Sequence, residues 1–325
     1  MLPPRRRSRF LPALLVATSL SATLLATERT AVAFVRNRTE AGFSPYYWRD
    51  PRQVLELAIP DAASGITPEE FRVAATAALK SWSHEAIPCT ALELTVAPEM
   101  SFDVVAKFDG RNRIAMRTGL WCRDPAHPTE KTCHDENAVA VTIVFKRVRT
   151  GSPDDGRILD ADIAVNAVGF PWKLLPDMPP SGNGAYDVAS ALTHEVGHFI
   201  GLDHTCSVSG PSPLIDDQGR PVPECGLEPS DQLAQITSST MYPTMDVSDV
   251  DWRTLSDDER KAACTIYPLT SVPLDEWGGM GGCTTAAGSA PRRAGGVLLA
   301  LAALVPLLLA AAIFRGRRRG HQRFR

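Results

Sequence analysis

The sequence of 325 residues has no excess of positive charge and no internal repeat. Its 34 lysines and arginines stand against 37 aspartates and glutamates. The imbalance is larger away from the two ends, because residues 34–283 contain 21 basic and 36 acidic side chains. Such an acidic chain stays soluble and is not expected to bind nucleic acid. Without a repeat, residues 34–268 have the length of one ordinary domain.

The first 33 residues have the pattern of a cleaved targeting segment. Four arginines between positions 5 and 9 precede an apolar run over residues 10–25, which serine and threonine interrupt. The run is short for a membrane span, and Ala31-Val32-Ala33 supplies the small residues of a cleavage site. We therefore predict a signal peptide over residues 1–33. A retained N-terminal anchor is the alternative.

The C-terminal end contains a second apolar segment, over residues 295–314. As a helix, these residues cover about 30 Å, the thickness of a bilayer core, so we expect a transmembrane helix. Six arginines follow in residues 315–325, which places this tail in the cytoplasm and the bulk of the chain outside. Residues 269–294 form a linker of small residues that contains Cys283 after a run of glycines.

Gly282-Cys283, the apolar helix and the arginine cluster together resemble the C-terminal sorting signals of myxobacterial surface proteins. The resemblance implies cleavage near Cys283, with this cysteine as the modified residue. An ordinary anchor that stays in place is the alternative. In either case we expect an exported protein, located at the cell surface or outer membrane or outside the cell, with the C-terminal helix as its membrane contact.

The chain has only seven cysteines, six of which precede Cys283. An even number in an exported domain indicates disulfide bonds, although six cysteines allow many pairings. Local spacing favours two short loops and leaves one long connection: Cys122–Cys133, Cys206–Cys225 and Cys89–Cys264. The alternative for the first loop is a zinc knuckle, which an oxidising compartment disfavours. Its ligands would be Cys122, His127, Cys133 and His134.

Residues 194–204 follow the pattern H-E-x-x-H-x-x-G-x-x-H. Two histidines four apart lie on one helix face, so His194 and His198 can bind the same metal ion. Glu195, on the adjacent flank, can then take a proton from water. Gly201 can adopt a positive φ and turn the chain, which brings in His204 as third ligand. Three imidazoles with one open coordination position are typical of a catalytic zinc site.

The extended motif resembles the metzincin clan of zinc peptidases. Downstream, residues 239–243 (Ser-Thr-Met-Tyr-Pro) fit the methionine-containing turn that this clan carries beneath its zinc. Pro243, together with Thr205 directly after the third histidine, is similar to the matrixin branch, the matrix metalloproteinase family. The resemblance assigns Met241, Tyr242 and Pro243 to this turn and to the wall of a substrate pocket. This pocket would receive the substrate side chain that follows the cleaved bond, and its wall would continue from Pro243 to position 245.

Hydrophobic alternation predicts strands, and capping residues predict three main helices. The strands are predicted at Val54–Ile59, Ala91–Val96, Asp103–Lys107, Ala138–Phe145 and Ile158–Val165. The helices are predicted from the Thr67 capping box to Trp82, over Val188–Ile200 with Asp187 as N-cap, and from the Ser256 capping box to Ile266. This order is similar to that of a matrixin catalytic domain, here over residues 34–268. The resemblance implies an α+β, zincin-like fold with a twisted, mostly antiparallel-edged sheet and a zinc cleft between upper and lower subdomains.

Some features depart from the matrixin pattern. Thirty-six residues separate His204 from Met241, which is longer than usual, and they are rich in proline, glycine and aspartate. No propeptide of ordinary length and no cysteine-switch motif follow Ala33. The sequence also lacks a match to the structural metal ligands of matrixins. Four aspartates are candidates for calcium binding, because hard carboxylate oxygens suit this ion. A solvated acidic turn is the alternative interpretation. The candidates are Asp154, Asp155, Asp160 and Asp162.

The resemblance implies a secreted or surface-anchored zinc-dependent endopeptidase with a protein or peptide substrate. Zinc would activate water and polarise the peptide carbonyl, and Glu195 would serve as general base and then as general acid. The substrate would lie extended against the predicted strand Ala138–Phe145. We expect a monomer. Two other classes stay open: a catalytically silent, metal-binding adhesion module, which Glu195 disfavours because only catalysis needs it, and a zinc hydrolase of cell-wall peptides.

Overall fold

The structure, a computed structural model, describes part of the chain. The described residues are 34–102, 105–124, 126–129, 132–180, 184–229 and 232–269. The predicted signal peptide, the linker with Cys283, the apolar segment 295–314 and the arginine tail lie outside the described residues. Among the helices of the described ranges, none is both long and apolar enough to cross a bilayer.

A five-stranded mixed sheet and a few helices form the described fold, which is α+β as expected. The strands are β1 (Val35–Arg36), β2 (Arg52–Ala58), β3 (Glu93–Ser101), β4 (Asn112–Arg117), β5 (Ala140–Lys146), β6 (Ile158–Asn166), β7 (Trp172–Lys173), β8 (Tyr186–Asp187) and β9 (Leu202–Asp203). The helices are α1 (Pro68–Trp82), α2 (Val188–Phe199), α3 (Leu233–Thr237) and α4 (Asp257–Ile266), with single 3₁₀ turns at Ala62–Ser64 and Asp251–Arg253.

The main sheet has the strand order β3-β2-β4-β6-β5. The first four strands run parallel to their neighbours, whereas β5 pairs antiparallel with β6 at the edge. The expected antiparallel edge is therefore confirmed at β5, but the opposite edge strand, β3, is parallel. Two short ladders, β1 with β9 and β7 with β8, connect the surrounding loops.

The helix starts agree with the capping patterns in the sequence. Thr67 and Glu70 form a reciprocal capping box at α1, and the same arrangement opens α4. α1 buries Phe71, Leu79 and Trp82 against α2 and β3. The Trp82 indole N–H also donates to the carbonyl oxygen of Thr193 in α2 at 2.8 Å. The end of α1 is thereby fixed to the helix that carries the histidine motif.

One strand prediction is wrong. Residues 105–107, the described part of the predicted strand Asp103–Lys107, have no regular structure. They form a loop whose Lys107 N–H donates to the buried carboxylate of Asp162 in β6 at 2.9 Å. Two adjacent valines suggested a strand, but hydrogen bonds to this aspartate hold the segment as a loop.

The sequence analysis missed β4. Its two arginines, Arg113 and Arg117, resemble solvent-facing residues in a sequence pattern, yet both are buried. The Arg113 guanidinium donates to the carboxylate of Asp109 at 2.8 Å, which compensates its charge. A strand that buries two arginines has no clear hydrophobic alternation, so periodicity alone cannot identify it.

All three predicted disulfides are confirmed: Cys89–Cys264, Cys122–Cys133 and Cys206–Cys225. The zinc-knuckle alternative is excluded, because a disulfide occupies both of its cysteines. Three disulfides suggest an extracellular or otherwise oxidising environment. The Cys89–Cys264 bond spans 175 residues and joins the segment after α1 to α4.

Replacing both Cys89 and Cys264 by alanine should destabilise the protein more than replacing Cys122 and Cys133. Chain-entropy arguments give about 5 kcal/mol for closing a loop of 175 residues and about 3 kcal/mol for one of 11. Urea unfolding of the two double variants measures the difference. Equal loss of stability in both would show that the long connection does not constrain the unfolded chain as described.

Candidate metal centre

Helix α2 carries three of the motif residues. His194 and Glu195 are buried and His198 is half-buried. Asp187 caps the start of the helix, and its fully buried carboxylate also accepts two hydrogen bonds, of 2.6 and 2.8 Å, from the Arg253 guanidinium. This bidentate ion pair fixes the helix against the segment that precedes α4.

A turn after α2 brings the third histidine to the other two. Gly201 has φ +100°, and a Cβ at this position would lie 2.6 Å from the Tyr46 carbonyl oxygen, so only glycine fits. The His204 Nε2 atom then lies 3.2 Å from Nε2 of His194 and 3.1 Å from Nε2 of His198. The expected convergence of the three histidines is confirmed, and they lie close enough to hold one metal ion.

Hydrogen bonds determine which nitrogen of two histidines faces the centre. His194 Nδ1 lies 2.6 Å from the Thr240 carbonyl oxygen, and His198 Nδ1 lies 2.9 Å from the Leu202 carbonyl oxygen. A carbonyl oxygen only accepts, so each Nδ1 donates its proton and leaves Nε2 as the nitrogen through which the ring can bind a metal. This is the protonation pattern of a histidine that binds a metal through Nε2.

Burial favours the neutral form of the His194 and His204 imidazoles. It lowers the pKa of His194 to about 3, and the nearby His198 ring acts in the same direction. Burial likewise holds the pKa of His204 well below its usual value. Neutral nitrogens that face one another at about 3 Å repel, whereas a shared cation would stabilise them. The donor set therefore fits zinc, a borderline-soft ion that prefers imidazole.

The methionine-containing turn lies beneath the first histidine. Thr240 supplies the carbonyl oxygen that orients His194. Met241 is buried, and its sulfur lies over Gly197 in α2. Glu259 of α4 holds the turn from below, because its Oε1 accepts the Met241 N–H at 2.9 Å and the Ser239 hydroxyl at 2.7 Å. The sequence identified this glutamate as a capping residue only.

A buried tryptophan, absent from the sequence predictions, completes the packing around the centre. Trp252 stacks on the His194 ring with 4.9 Å between centroids and 20° between planes. It belongs to the 3₁₀ turn Asp251–Arg253, which Arg253 ties to α2. No motif or periodic pattern marks a single tryptophan in an acidic stretch, so only the tertiary structure reveals its role.

Glu195 lies at the bottom of the cleft, next to β5. Its Oε2 accepts a hydrogen bond of 2.6 Å from the Thr142 hydroxyl. Burial raises the pKa of Glu195, while the His198 ring and the Thr142 hydrogen bond partly oppose this effect. A raised pKa makes the carboxylate a better proton acceptor. The sequence analysis predicted the glutamate but missed its threonine partner.

A cleft of about 700 Å³ opens in front of the three histidines and Glu195. It runs along β5, and its opposite wall begins at Pro243 and continues to Met245. Of the residues assigned to the turn and the wall, Pro243 lines the cleft, whereas Met241 and Tyr242 are not among its lining residues. Met241 is buried beneath α2, and Tyr242 packs against Ile236.

The four aspartates considered for calcium do not form one site. Asp160 and Asp162 lie on β6 and accept backbone N–H groups from the loop 107–113. Asp155 accepts hydrogen bonds in the turn after β5, and Asp154 is paired with Arg157 there at 3.6 Å. Three of these carboxylates are thus occupied in holding loops.

No family model matches the chain, and no curated protein matches it. The interpretation of the centre therefore rests on its own residues and geometry.

Substituting alanine for Gly197 should destabilise the protein, although alanine favours helices. The new methyl group would collide with the Met241 sulfur and meet Trp82 at 3.1 Å, so we expect a loss of about 1–3 kcal/mol, the typical cost of overpacking. Thermal unfolding of the metal-free protein measures it. Gly119→Ala is the matched control, because nothing lies within 4 Å of that position. Equal stability of both variants would contradict the close packing of turn and helix.

Proposed function

We propose that this protein is a zinc-dependent endopeptidase of the metzincin clan, similar to the matrixin branch. The observation that carries the proposal is the convergence of three histidine Nε2 atoms beside a buried glutamate, in a cleft that runs along a sheet edge. The expected division into upper and lower subdomains corresponds in this proposal to the two sides of that cleft.

The three histidines would hold the metal. Zinc fits better than calcium or magnesium, because these hard ions prefer oxygen ligands and the donor set is all nitrogen. When bound, zinc supplies a Lewis acid that polarises a peptide carbonyl and acidifies water. Hydrogen bonds to Thr240 and Leu202 orient two of the ligands, which should raise their affinity for the metal.

Glu195 would transfer the protons. It is not one of the three grouped metal ligands, and it lines the same cleft. Its carboxylate can accept a proton from the attacking water and return it to the leaving amine. The raised pKa favours this exchange, because a carboxylate binds a proton more readily as its pKa rises.

The edge strand β5 suggests how a peptide would bind. Among the described strands β5 is the last in its sheet, so one of its edges faces the cleft without a neighbouring strand. An extended peptide can add to such an edge through main-chain hydrogen bonds, which recognise any sequence. This geometry favours a protein or peptide substrate. Cleavage outside the cytoplasm, at the cell surface or in the medium, agrees with the disulfides.

Zinc content and cleavage of a denatured protein substrate test the proposal directly. The purified full chain should bind about one zinc and cleave. Glu195→Ala should retain the zinc and lose at least about a thousandfold in turnover, because it removes the proton acceptor but no metal ligand. His198→Ala should lose both zinc and activity. Glu69→Ala, an exposed glutamate on α1, is the matched control and should change neither.

Each other outcome has a distinct meaning. Stoichiometric zinc without cleavage of any protein or peptide would favour a silent adhesion module. Cleavage of cell-wall peptides alone would favour a narrower hydrolase. A well-folded protein that binds no zinc would refute the proposal.

A further inference from the structure

The edge strand β5 presents one polar side chain to the helix that carries the motif. Residues two apart in a strand lie on the same face, so Ala140, Thr142 and Val144 share one side of β5. Ala140 and Val144 pack against the hydrophobic core. Thr142 lies between them, opposite α2, where an apolar residue would be the ordinary choice.

The Thr142 hydroxyl contacts Glu195 at two atoms. It lies 2.6 Å from the carboxylate Oε2 and 3.0 Å from the backbone carbonyl oxygen of the same residue. A hydroxyl has one proton, so it can donate to one of these oxygens at a time, and the shorter distance favours the carboxylate. Among the hydrogen bonds of the described residues, this is the only one received by the Glu195 carboxylate.

Because Glu195 is buried, loss of the hydrogen bond from Thr142 should have a larger effect than it would at an exposed site. Glu195 is 4% exposed, so bulk water cannot readily replace a lost donor. A hydrogen bond to one carboxylate oxygen also restricts rotation of the group about its last side-chain bond. The second oxygen, Oε1, receives no protein hydrogen bond from the described part of the chain and so stays available for proton transfer.

We propose that Thr142 is a positioning residue for Glu195: its hydroxyl fixes the carboxylate so that Oε2 is engaged and Oε1 is left for the reacting water. The inference rests on the proposed function. It also links the two parts of that function, because β5 would hold the substrate with its backbone edge and the proton acceptor with the Thr142 side chain. Substrate and base would thus be placed by one strand.

Thr142→Val is the sharpest test, since valine has nearly the same shape, favours strands equally and lacks the hydroxyl. In the zinc-loaded full chain we expect kcat to fall about tenfold to hundredfold, the range for losing a hydrogen bond to a charged group. KM and zinc content should change less than about twofold, because the Thr142 hydroxyl contacts Glu195 and not the histidines, and the substitution leaves the backbone of β5 in place. Thr142→Ser, which keeps the hydroxyl, should restore most of the turnover.

Thr95→Val is the matched control. Thr95 is an exposed threonine on the opposite edge strand, β3, so its replacement should leave kcat and KM unchanged. A loss of turnover in Thr142→Val equal to that in Thr142→Ser, or a change confined to KM, would overturn the positioning role.

A double-mutant cycle on metal-free protein provides a readout that does not depend on activity. Urea unfolding compares the full chain with Thr142→Val, Glu195→Ala and the double variant. If the hydroxyl acts through the carboxylate, Thr142→Val should lower stability clearly when Glu195 is present and markedly less in the Glu195→Ala background. Equal losses in both backgrounds would show that the hydroxyl has a local structural role only.

The two experiments separate the inference from the proposed function. Cleavage by the unmodified protein together with unchanged kcat in Thr142→Val would refute the inference alone. Absence of cleavage by every form would refute the proposed function, and with it the catalytic part of the inference, while the cycle would still measure the contact itself.

Discussion

The hydrogen bond from His194 Nδ1 to the Thr240 carbonyl oxygen is the interaction on which the centre depends. It fixes the protonation of the first histidine and joins α2 to the turn after α3. Behind the turn, Glu259 accepts two hydrogen bonds while closing the capping box of α4. Above it, Trp252 stacks on the same imidazole. The orientation of the His194 ring thus depends on four chain segments: α2, the turn with Thr240, the 3₁₀ turn with Trp252, and α4 with Glu259. Thr240, Trp252 and Glu259 are all buried.

Burial has opposite consequences for the two kinds of titratable group at this centre. It lowers the pKa of His194 and His204 and raises that of Glu195, so the uncharged form of these three groups is favoured. A bound cation would stabilise the charged carboxylate of Glu195 and so oppose the effect of burial on this group. It would not oppose the effect on the histidines, because a metal ion needs neutral imidazoles as ligands. The arrangement of protein groups at this centre therefore favours binding of a metal ion. The surrounding packing and the Cys89–Cys264 disulfide maintain this arrangement.

The sequence predicted the local features of this structure and missed those that depend on tertiary contacts. The capping boxes at Thr67 and Ser256, and the turn at Gly201, follow from short-range rules that a sequence displays directly. β4 was missed because its two buried arginines obscure the hydrophobic pattern of a strand. Thr142 and Trp252 were missed because each acquires its role from a partner about 50 residues away along the chain. The motif identifies the three candidate metal ligands, whereas the residues that orient them are found only in the tertiary structure.

X-ray absorption at the zinc edge of the purified, zinc-loaded protein tests the central claim most directly. A catalytic three-histidine centre predicts three imidazole nitrogens at about 2.0–2.1 Å and a fourth light ligand, with no sulfur. Sulfur at about 2.3 Å, or fewer than three imidazoles, would contradict it, because disulfides engage all six cysteines of the described residues and the geometry offers all three histidines to one ion.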